Sequence, residues 1–174
     1  MVGQYKDDRL FEILDQKHRI ALTKTQELYE ALNNLHYEGK VSFGRNIKEI
    51  EKAVRFFRNE LSPHIRADEE VVFPYLSVHV PRLDPMLRFL SAEHNELKIK
   101  FKDFEHLFRK VKDNKDSPLL PKELYKLRDE GTYLFCLLRN HIQTESAGVY
   151  QVIASDLTLG EKKVLLEKYS RFNK

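Results

Sequence analysis

The chain has 174 residues, and 30 Lys and Arg against 27 Asp and Glu give it a formal net charge of +3. The basic residues are spread along the chain without a basic block, so nucleic acid is not an expected partner. Hydrophobic residues make up 41% and charged residues 33%, with only six glycines and six prolines, which is typical of a soluble helical protein.

No stretch approaches the roughly 18 uninterrupted apolar residues that a transmembrane helix needs, and the start MVGQYKDDRL has no apolar targeting segment. The sequence therefore predicts a cytoplasmic protein that does not bind membranes. The single cysteine, Cys136, excludes an intramolecular disulfide and fits a reducing compartment. On a helix it points about 140° away from His141, five residues later, and we interpret it as a packing residue.

Apolar residues that repeat at alternating three- and four-residue steps predict an all-α protein with four long helices and a shorter last one. The predicted helices cover about residues 7–36, 44–79, 84 to the polar stretch at 112–116, 121–155 and 158–172. Pro63 lies inside the second helix and is expected to bend it just before His64. Asp84 is predicted as the N-cap of the third helix, and Thr158 with Glu161 as a capping box for the last.

This organisation predicts one domain over residues 1–174, with a helical bundle at about 7–155 and an extra C-terminal helix at about 158–172. The apolar stripe of the last helix is too large to leave in water. We expect it to pack on its own bundle, with a homodimer as the alternative to a monomer.

Each of the four long apolar repeats is interrupted by one histidine: His18, His64, His94 and His141. Two of these histidines are followed four residues later by a carboxylate, Asp68 or Glu145, on the same face of the helix. At a rise of about 1.5 Å per residue, the four histidines fall at one level of the bundle. A buried polar group without a partner costs roughly 2 to 7 kcal/mol, so the set predicts a buried metal site.

Imidazole ligands suit iron, zinc, copper or nickel, and carboxylates that bridge favour a pair of first-row ions over one calcium or magnesium. A structural zinc site usually has four ligands, often including cysteine, and the sequence lacks that pattern. The residues alone therefore predict a two-metal site without choosing among the first-row metals.

The order His18, then His64-Ile-Arg-Ala-Asp68-Glu69-Glu70, then Glu93-His94, then His141-Ile-Gln-Thr-Glu145 resembles the hemerythrin-like, HHE cation-binding domain over about residues 8–155. The resemblance implies an up-and-down antiparallel four-helix bundle that holds two iron ions joined by an oxo or hydroxo bridge. Other first-row metals are alternatives. By the same resemblance, the four histidines are terminal ligands, and Asp68 and Glu145 are bridging carboxylates.

Two positions depart from the family pattern. The second helix of the family usually carries Glu four residues after its histidine, where this chain has Asp68 followed by Glu69. Asp68 lies on the apolar repeat and is favoured, but it is one methylene shorter and the bend at Pro63 would turn Glu69 inward, so both stay candidates. Oxygen-carrying hemerythrins have a further histidine where this chain has Lys98, so a five-histidine oxygen-carrier site is not expected.

The predicted metal ligands are His18, His64, Asp68, Glu69, His94, His141 and Glu145. We expect the site to bind or sense a small ligand such as dioxygen, nitric oxide, peroxide or another anion. One alternative is iron storage, delivery or iron–sulfur repair, although related repair proteins carry an N-terminal cysteine segment and this chain begins almost directly at the bundle. Another is an interaction module that the metal only stabilises. No enzyme activity is assigned beyond weak redox chemistry with peroxide or oxygen.

Overall fold

The computed structural model describes residues 9–172, and all the long elements in this range are helices. The five helices are α1 (Arg9–Glu38), α2 (residues 43–79), α3 (Asp84–Asp113), α4 (residues 120–156) and α5 (Leu159–Phe172). In the bundle, α1 packs on both α2 and α4, and α3 packs on α4. The predicted all-α bundle with an additional C-terminal helix is confirmed. Within the same range, no helix is both long and apolar enough to cross a membrane.

The connections between the helices are short. Gly39 has a φ of +57° and begins a 3₁₀ turn, Gly39–Val41, after α1. A second 3₁₀ turn, Pro81–Leu83, leads into α3. Because this turn already has helical backbone angles, Asp84 has no extended N-cap geometry, and the prediction that it caps α3 is wrong. Its carboxylate instead accepts a 2.6 Å hydrogen bond from Ser77 Oγ of α2.

The capping box predicted for the last helix is present. The backbone N–H of Thr158 donates to Glu161 Oε2 at 2.8 Å, and the N–H of Glu161 donates to Thr158 Oγ1 at 3.3 Å. On α5, Leu165 and Tyr169 are buried in the bundle's core. Tyr75 of α2 adds a further link, because its hydroxyl donates to the carbonyl oxygen of Glu161 at 3.0 Å. The inner face of α5 therefore packs on its own bundle, as expected.

Three single π-helical turns interrupt the regular helices. Two lie in α2, at Phe57–Leu61 and Asp68–Val72, and one lies in α4, at Ser146–Tyr150. Both turns in α2 come just ahead of a proline, whose ring would clash with the carbonyl four residues earlier in a regular helix. The wider π turn accommodates that ring while the helix continues. The distortion predicted ahead of His64 takes this form.

The core consists of two hydrophobic clusters, one at each end of the bundle. The first contains Ala21, Leu97 and Leu138, and the second contains Leu14 and Leu90. Along every long helix, the chain passes from one cluster to the other at a buried polar side chain. These side chains form the buried polar layer, which consists of His18, His64, Asp68, His94, His141 and Glu145.

Cys136 is exposed on α4, so its interpretation as a packing residue is wrong. A bundle helix is covered on one face only. A side chain that points away from the buried polar layer therefore points toward solvent, and the 140° angle from His141 implied exposure rather than packing.

Candidate metal centre

The buried polar layer brings together one histidine from each long helix and two carboxylates. None of its six residues is more than 3% exposed. The histidines lie on the apolar repeat of each helix, which is why the same helical spacing that builds the core also turns them inward. The four histidines predicted to lie at one level therefore do so.

Glu145 stands between two groups of donor atoms. One group joins it to His18 and His64, and the other joins it to His94 and His141; within each group the donor atoms all lie within 4.8 Å of one another. Oε2 of Glu145 is 3.1 Å from Nε2 of His18 and 3.5 Å from Nε2 of His141. A single carboxylate is thus shared by two three-residue clusters.

The distances between these donor atoms are those of ligands on a common cation. Nε2 of His94 and Nε2 of His141 lie 2.9 Å apart. Two ligands bound about 2.1 Å from one ion at right angles are separated by about 3.0 Å. Without a cation, one of these two neutral imidazoles donates its Nε2–H to the lone pair of the other.

Asp68 adds a second carboxylate to the buried polar layer. Its Oδ2 lies 3.5 Å from Nδ1 of His64, and neither oxygen of Asp68 nor either nitrogen of His64 has a hydrogen-bond partner. Buried polar atoms in native proteins nearly always have a partner. These four atoms therefore fit a site that is completed by a metal ion.

Glu69, the alternative to Asp68, lies on the outer side of this layer. Its Oε1 is 3.3 Å from Nδ1 of His94, its Oε2 is 2.6 Å from Nζ of Lys98, and its side chain is 25% exposed. The structure therefore brings six of the seven predicted ligands together. The seventh, Glu69, lies outside the layer, next to the outer nitrogen of His94.

Two histidines of the layer have a hydrogen-bond partner on their outer nitrogen. Nδ1 of His141 lies 3.0 Å from Oε2 of Glu93, and Nδ1 of His18 lies 3.0 Å from Oγ of Ser146. When Nδ1–H donates outward, Nε2 keeps its lone pair for the inside of the bundle, and the ring is fixed in that orientation. Glu93 is part of the Glu93-His94 motif, but no role was predicted for it from the sequence. Ser146 was not predicted at all.

The electrostatics of the layer keep most of its donors in metal-binding states. Burial lowers the pKa of His64 and of His94 to about 3. Burial opposes ionisation of Glu145, but the rings of His141 and His18 close to its Oε2 outweigh this and lower its pKa. The same contacts with Glu145, together with Glu93, raise the pKa of His141 against the effect of burial. Neutral imidazoles and an ionised carboxylate are the forms that bind metals.

The pKa of Asp68 shifts away from the metal-binding form, unlike that of Glu145. Burial, reinforced by the negative charge of Glu145, raises the pKa of the Asp68 carboxyl well above its usual range. Two carboxylates in one buried layer repel each other unless a positive charge lies between them. A bound cation would lower the pKa of Asp68 and favour its ionised form, because a metal ion is the largest local charge in such a site.

Two aromatic rings cover the buried polar layer. Phe73 stacks on His94, with ring centroids 5.5 Å apart, and Tyr150 stacks on His18, with centroids 4.7 Å apart. Phe73 follows the His64 motif in sequence, but no role was predicted for it or for Tyr150. The signal available was their shared position, because each lies five residues after a carboxylate of the layer, Asp68 or Glu145.

A small cavity reaches this layer beside His64. Its volume is about 40 Å³, slightly more than the roughly 30 Å³ that a water molecule occupies in the liquid. It is lined by Lys17, Ile20, Ala21, Phe56, Glu60, Leu61 and His64. The space is large enough for a species of a few atoms.

The comparisons with known proteins agree with this geometry. Residues 9–153 match the hemerythrin HHE cation-binding domain, which covers most of the chain and all seven predicted ligands. The chain has no significant match among curated protein sequences. By its match to that domain, the chain belongs to the hemerythrin HHE cation-binding family and is a cation-binding helical bundle.

Proposed function

We propose that the buried polar layer holds two iron ions and that the protein uses them to bind or sense a small ligand such as dioxygen, nitric oxide or peroxide. One observation carries this proposal: Glu145, which is fully buried, belongs to two separate clusters of three donors. In this assignment His18 and His64 hold one ion, His94 and His141 hold the other, and Glu145 bridges them.

Asp68 is the second bridging carboxylate in this proposal. It is fully buried and has no hydrogen-bond partner, whereas Glu69 is engaged by Lys98. The resulting donor set contains four imidazoles and two carboxylates and no thiolate. Such nitrogen and oxygen donors suit iron, and they are unlike the cysteine-rich sets of structural zinc sites.

Two features support a small ligand as the target. The side chains of the layer provide fewer donors than two six-coordinate ions require, so coordination positions remain open. The cavity beside His64 leads to the layer and is large enough for only a few atoms. When bound, iron supplies exchangeable coordination positions and one-electron redox chemistry at that point.

The experiment is to measure metal content and the absorption spectrum of protein purified in air. Wild type is compared with His141→Ala and with His106→Ala, which removes a histidine that is exposed on α3. We expect about two irons per chain and near-ultraviolet absorption for wild type and His106→Ala. We expect His141→Ala to lose both, because it removes a ligand from one cluster and weakens the shared Glu145.

Iron(II)-loaded protein is then exposed without air to nitric oxide, and separately to oxygen or peroxide. A rapid change of the iron spectrum, seen in wild type and His106→Ala alike, supports ligand binding. Stoichiometric zinc, or a folded protein that takes up no iron, would contradict the di-iron proposal. Iron that binds without responding to any of the three small molecules would contradict the ligand-binding part.

A further inference from the structure

The hydroxyl of Tyr150 lies close to a donor atom of the buried polar layer. Its side chain is fully buried, and its Oη lies 3.0 Å from Nε2 of His18. The same nitrogen is 3.1 Å from Oε2 of Glu145. The phenol oxygen is thus as close to the inner nitrogen of His18 as the shared carboxylate is.

The contact between Tyr150 and His18 combines ring stacking with a hydrogen bond. The phenol and imidazole rings stack with 20° between their planes, and Oη lies at hydrogen-bonding distance from Nε2. A cation that binds the lone pair of Nε2 takes the place of this hydrogen bond.

An ion bound to Nε2 of His18 would have Oη as a neighbour. Adjacent ligands on one six-coordinate ion lie about 3.0 Å apart when the bonds are about 2.1 Å. The distances from Nε2 of His18 to Oη of Tyr150 and to Oε2 of Glu145 both match this spacing. These two distances fit Oη, Nε2 and Oε2 as ligands of one ion.

The π turn in α4 is what places Tyr150 there. On a regular α-helix, a residue five positions after Glu145 points about 140° away from it. In the π turn Ser146–Tyr150, hydrogen bonding from i to i+5 brings residues five apart back to one face. Single π turns are rare and often occur at functional sites. The helix is distorted at the point that turns this hydroxyl toward the site.

We propose that Tyr150 is a further metal ligand, and that its phenolate oxygen binds the ion held by His18, His64 and Glu145. On binding, the phenol O–H bond breaks, an oxygen–metal bond forms and the proton leaves to solvent, without any change of oxidation state. This inference rests on the proposed di-iron site.

The phenolate form of Tyr150 requires the positive charge of the ion. Burial and the carboxylates of Glu145 and Asp68 hold the pKa of Tyr150 well above its usual range when no cation is present. A positive ion in contact with Oη acts in the opposite sense and favours the phenolate, as metals do for other ligands that must lose a proton.

The other half of the bundle provides a natural comparison. In α2, His64, Asp68 and Phe73 have the same four- and five-residue spacings as His141, Glu145 and Tyr150 in α4. Phe73 follows a π turn and stacks on His94 as Tyr150 stacks on His18, but it has no hydroxyl. The proposal therefore makes the two ions inequivalent, with a phenolate on one of them only.

The test uses the full chain loaded with iron and oxidised in air to iron(III). Tyr150→Phe places at position 150 the same side chain that occurs at position 73, so the stacked ring is kept and only the hydroxyl is lost. The matched control is Tyr75→Phe, which removes another buried hydroxyl that bonds to Glu161 and not to the layer. Absorption spectra, resonance Raman spectra and iron content are recorded for each protein.

We expect wild type and Tyr75→Phe to show a visible charge-transfer band from phenolate to iron(III), with enhanced tyrosinate ring vibrations. Tyr150→Phe should lose the band and the vibrations while its iron content stays near that of wild type. Iron-loaded wild type without these vibrations, or Tyr150→Phe that retains them, would overturn the ligation and leave the di-iron proposal intact. Wild type that takes up no iron would overturn both.

A second variant covers the case in which Tyr150→Phe does not fold. Placing 3-fluorotyrosine at position 150 keeps the hydroxyl and nearly the same ring, but it changes the electron density on the phenolate oxygen. We expect the visible band to shift in this protein and to stay unchanged when 3-fluorotyrosine is placed at position 75. A band that does not move in the first protein would overturn the assignment.

Discussion

Lys98 and Glu69 form a 2.6 Å ion pair between α3 and α2, and the second oxygen of Glu69 lies 3.3 Å from Nδ1 of His94. Lys98 stands where the oxygen-carrying members of the family have a fifth histidine. The lysine does not replace that ligand. It forms an ion pair with the carboxylate that lies beside the outer nitrogen of His94, so this position now holds a partner of Glu69 and no inner donor.

The two neighbouring carboxylates on α2 should differ sharply when each is neutralised. Asp68→Asn is expected to reduce the iron content to about one ion per chain or less, because Asp68 faces the layer. Glu69→Gln is expected to keep the stoichiometry and lower the affinity, because it supports His94 from outside. Metal analysis after dialysis against a weak chelator compares the two. Equal loss in both variants would contradict these roles.

Asp68→Asn should also stabilise the metal-free protein. The carboxyl is fully buried, lacks a hydrogen-bond partner, and is repelled by the charge of Glu145. Because its pKa is raised, the carboxyl must take up a proton or carry an unfavourable charge when the metal-free chain folds at neutral pH, and an amide at this position avoids that penalty. Urea unfolding at neutral pH in the presence of a chelator measures the change, with Glu69→Gln as the partly exposed control. A less stable metal-free Asp68→Asn would argue against a raised pKa of Asp68.

Glu93 should affect the metal through His141 without touching the ion. Glu93→Gln is expected to weaken metal affinity by about 10- to 100-fold, the range found when outer partners of ligating histidines are changed. The reason is the 3.0 Å contact of its Oε2 with Nδ1 of His141. Competition with a coloured chelator gives the affinity. Glu96→Gln, at an exposed position on the same helix, should leave it unchanged.

The metal-free protein should lose stability in acid through its buried histidines. Burial lowers the pKa of His64 and His94 from 6.5 to about 3, so the unfolded chain binds protons on them below about pH 6.5 while the folded chain does not. The free energy of unfolding therefore falls as the pH decreases between about 6.5 and 3. His141 has the opposite sign, because the stability linked to its raised pKa is lost as the pH rises.

Replacing one of these histidines measures its contribution to the pH dependence of the unfolding free energy. We expect His64→Phe to flatten the pH dependence of the unfolding free energy between about pH 6.5 and 3 by up to one proton, or about 1.4 kcal/mol per pH unit. Urea unfolding at several pH values, with a chelator present, measures the slope. His106→Phe makes the same replacement at an exposed site and should leave the slope as in wild type. An unchanged slope in His64→Phe would exclude a buried neutral His64.

Gly131 should tolerate no side chain, because α1 and α4 approach each other closely there. A Cβ at this position would overlap Cδ1 of Leu32 and lie 3.1 Å from Cε2 of Phe104, and both neighbours are buried. Gly131→Ala is expected to cost about 1 to 3 kcal/mol. Gly160→Ala on α5, where nothing lies within 4 Å, should cause no destabilisation. Thermal unfolding compares the two.

The six residues of the buried polar layer were predictable because they follow the regular α-helical period. His64 with Asp68, and His141 with Glu145, are four residues apart and share a face of their helix, as do the apolar residues around them. Helix rise alone then placed the histidines at one level. The choice between Asp68 and Glu69 was open in sequence, because it depended on how the helix continues around Pro63.

Tyr150 was not predictable by the same reasoning. A regular period of 3.6 residues would turn Tyr150 away from Glu145. The spacing of the apolar residues does not indicate that Ser146–Tyr150 forms a π turn. Asp84 failed as an N-cap for a related reason, since the turn before it already had helical angles. Local departures from the regular helix decide these details, and tertiary packing rather than propensity produces them.

The buried polar layer separates the two hydrophobic clusters, so the middle of the bundle has little apolar contact of its own. The second cluster contains Leu10 from the start of α1 and Leu165 from α5, which ties both ends of the described chain to one end of the bundle. The two ions proposed for this layer would together join four helices at this boundary, and their binding free energy would add to the stability of the folded bundle. Metal occupancy would then control how firmly the two ends of the molecule move together.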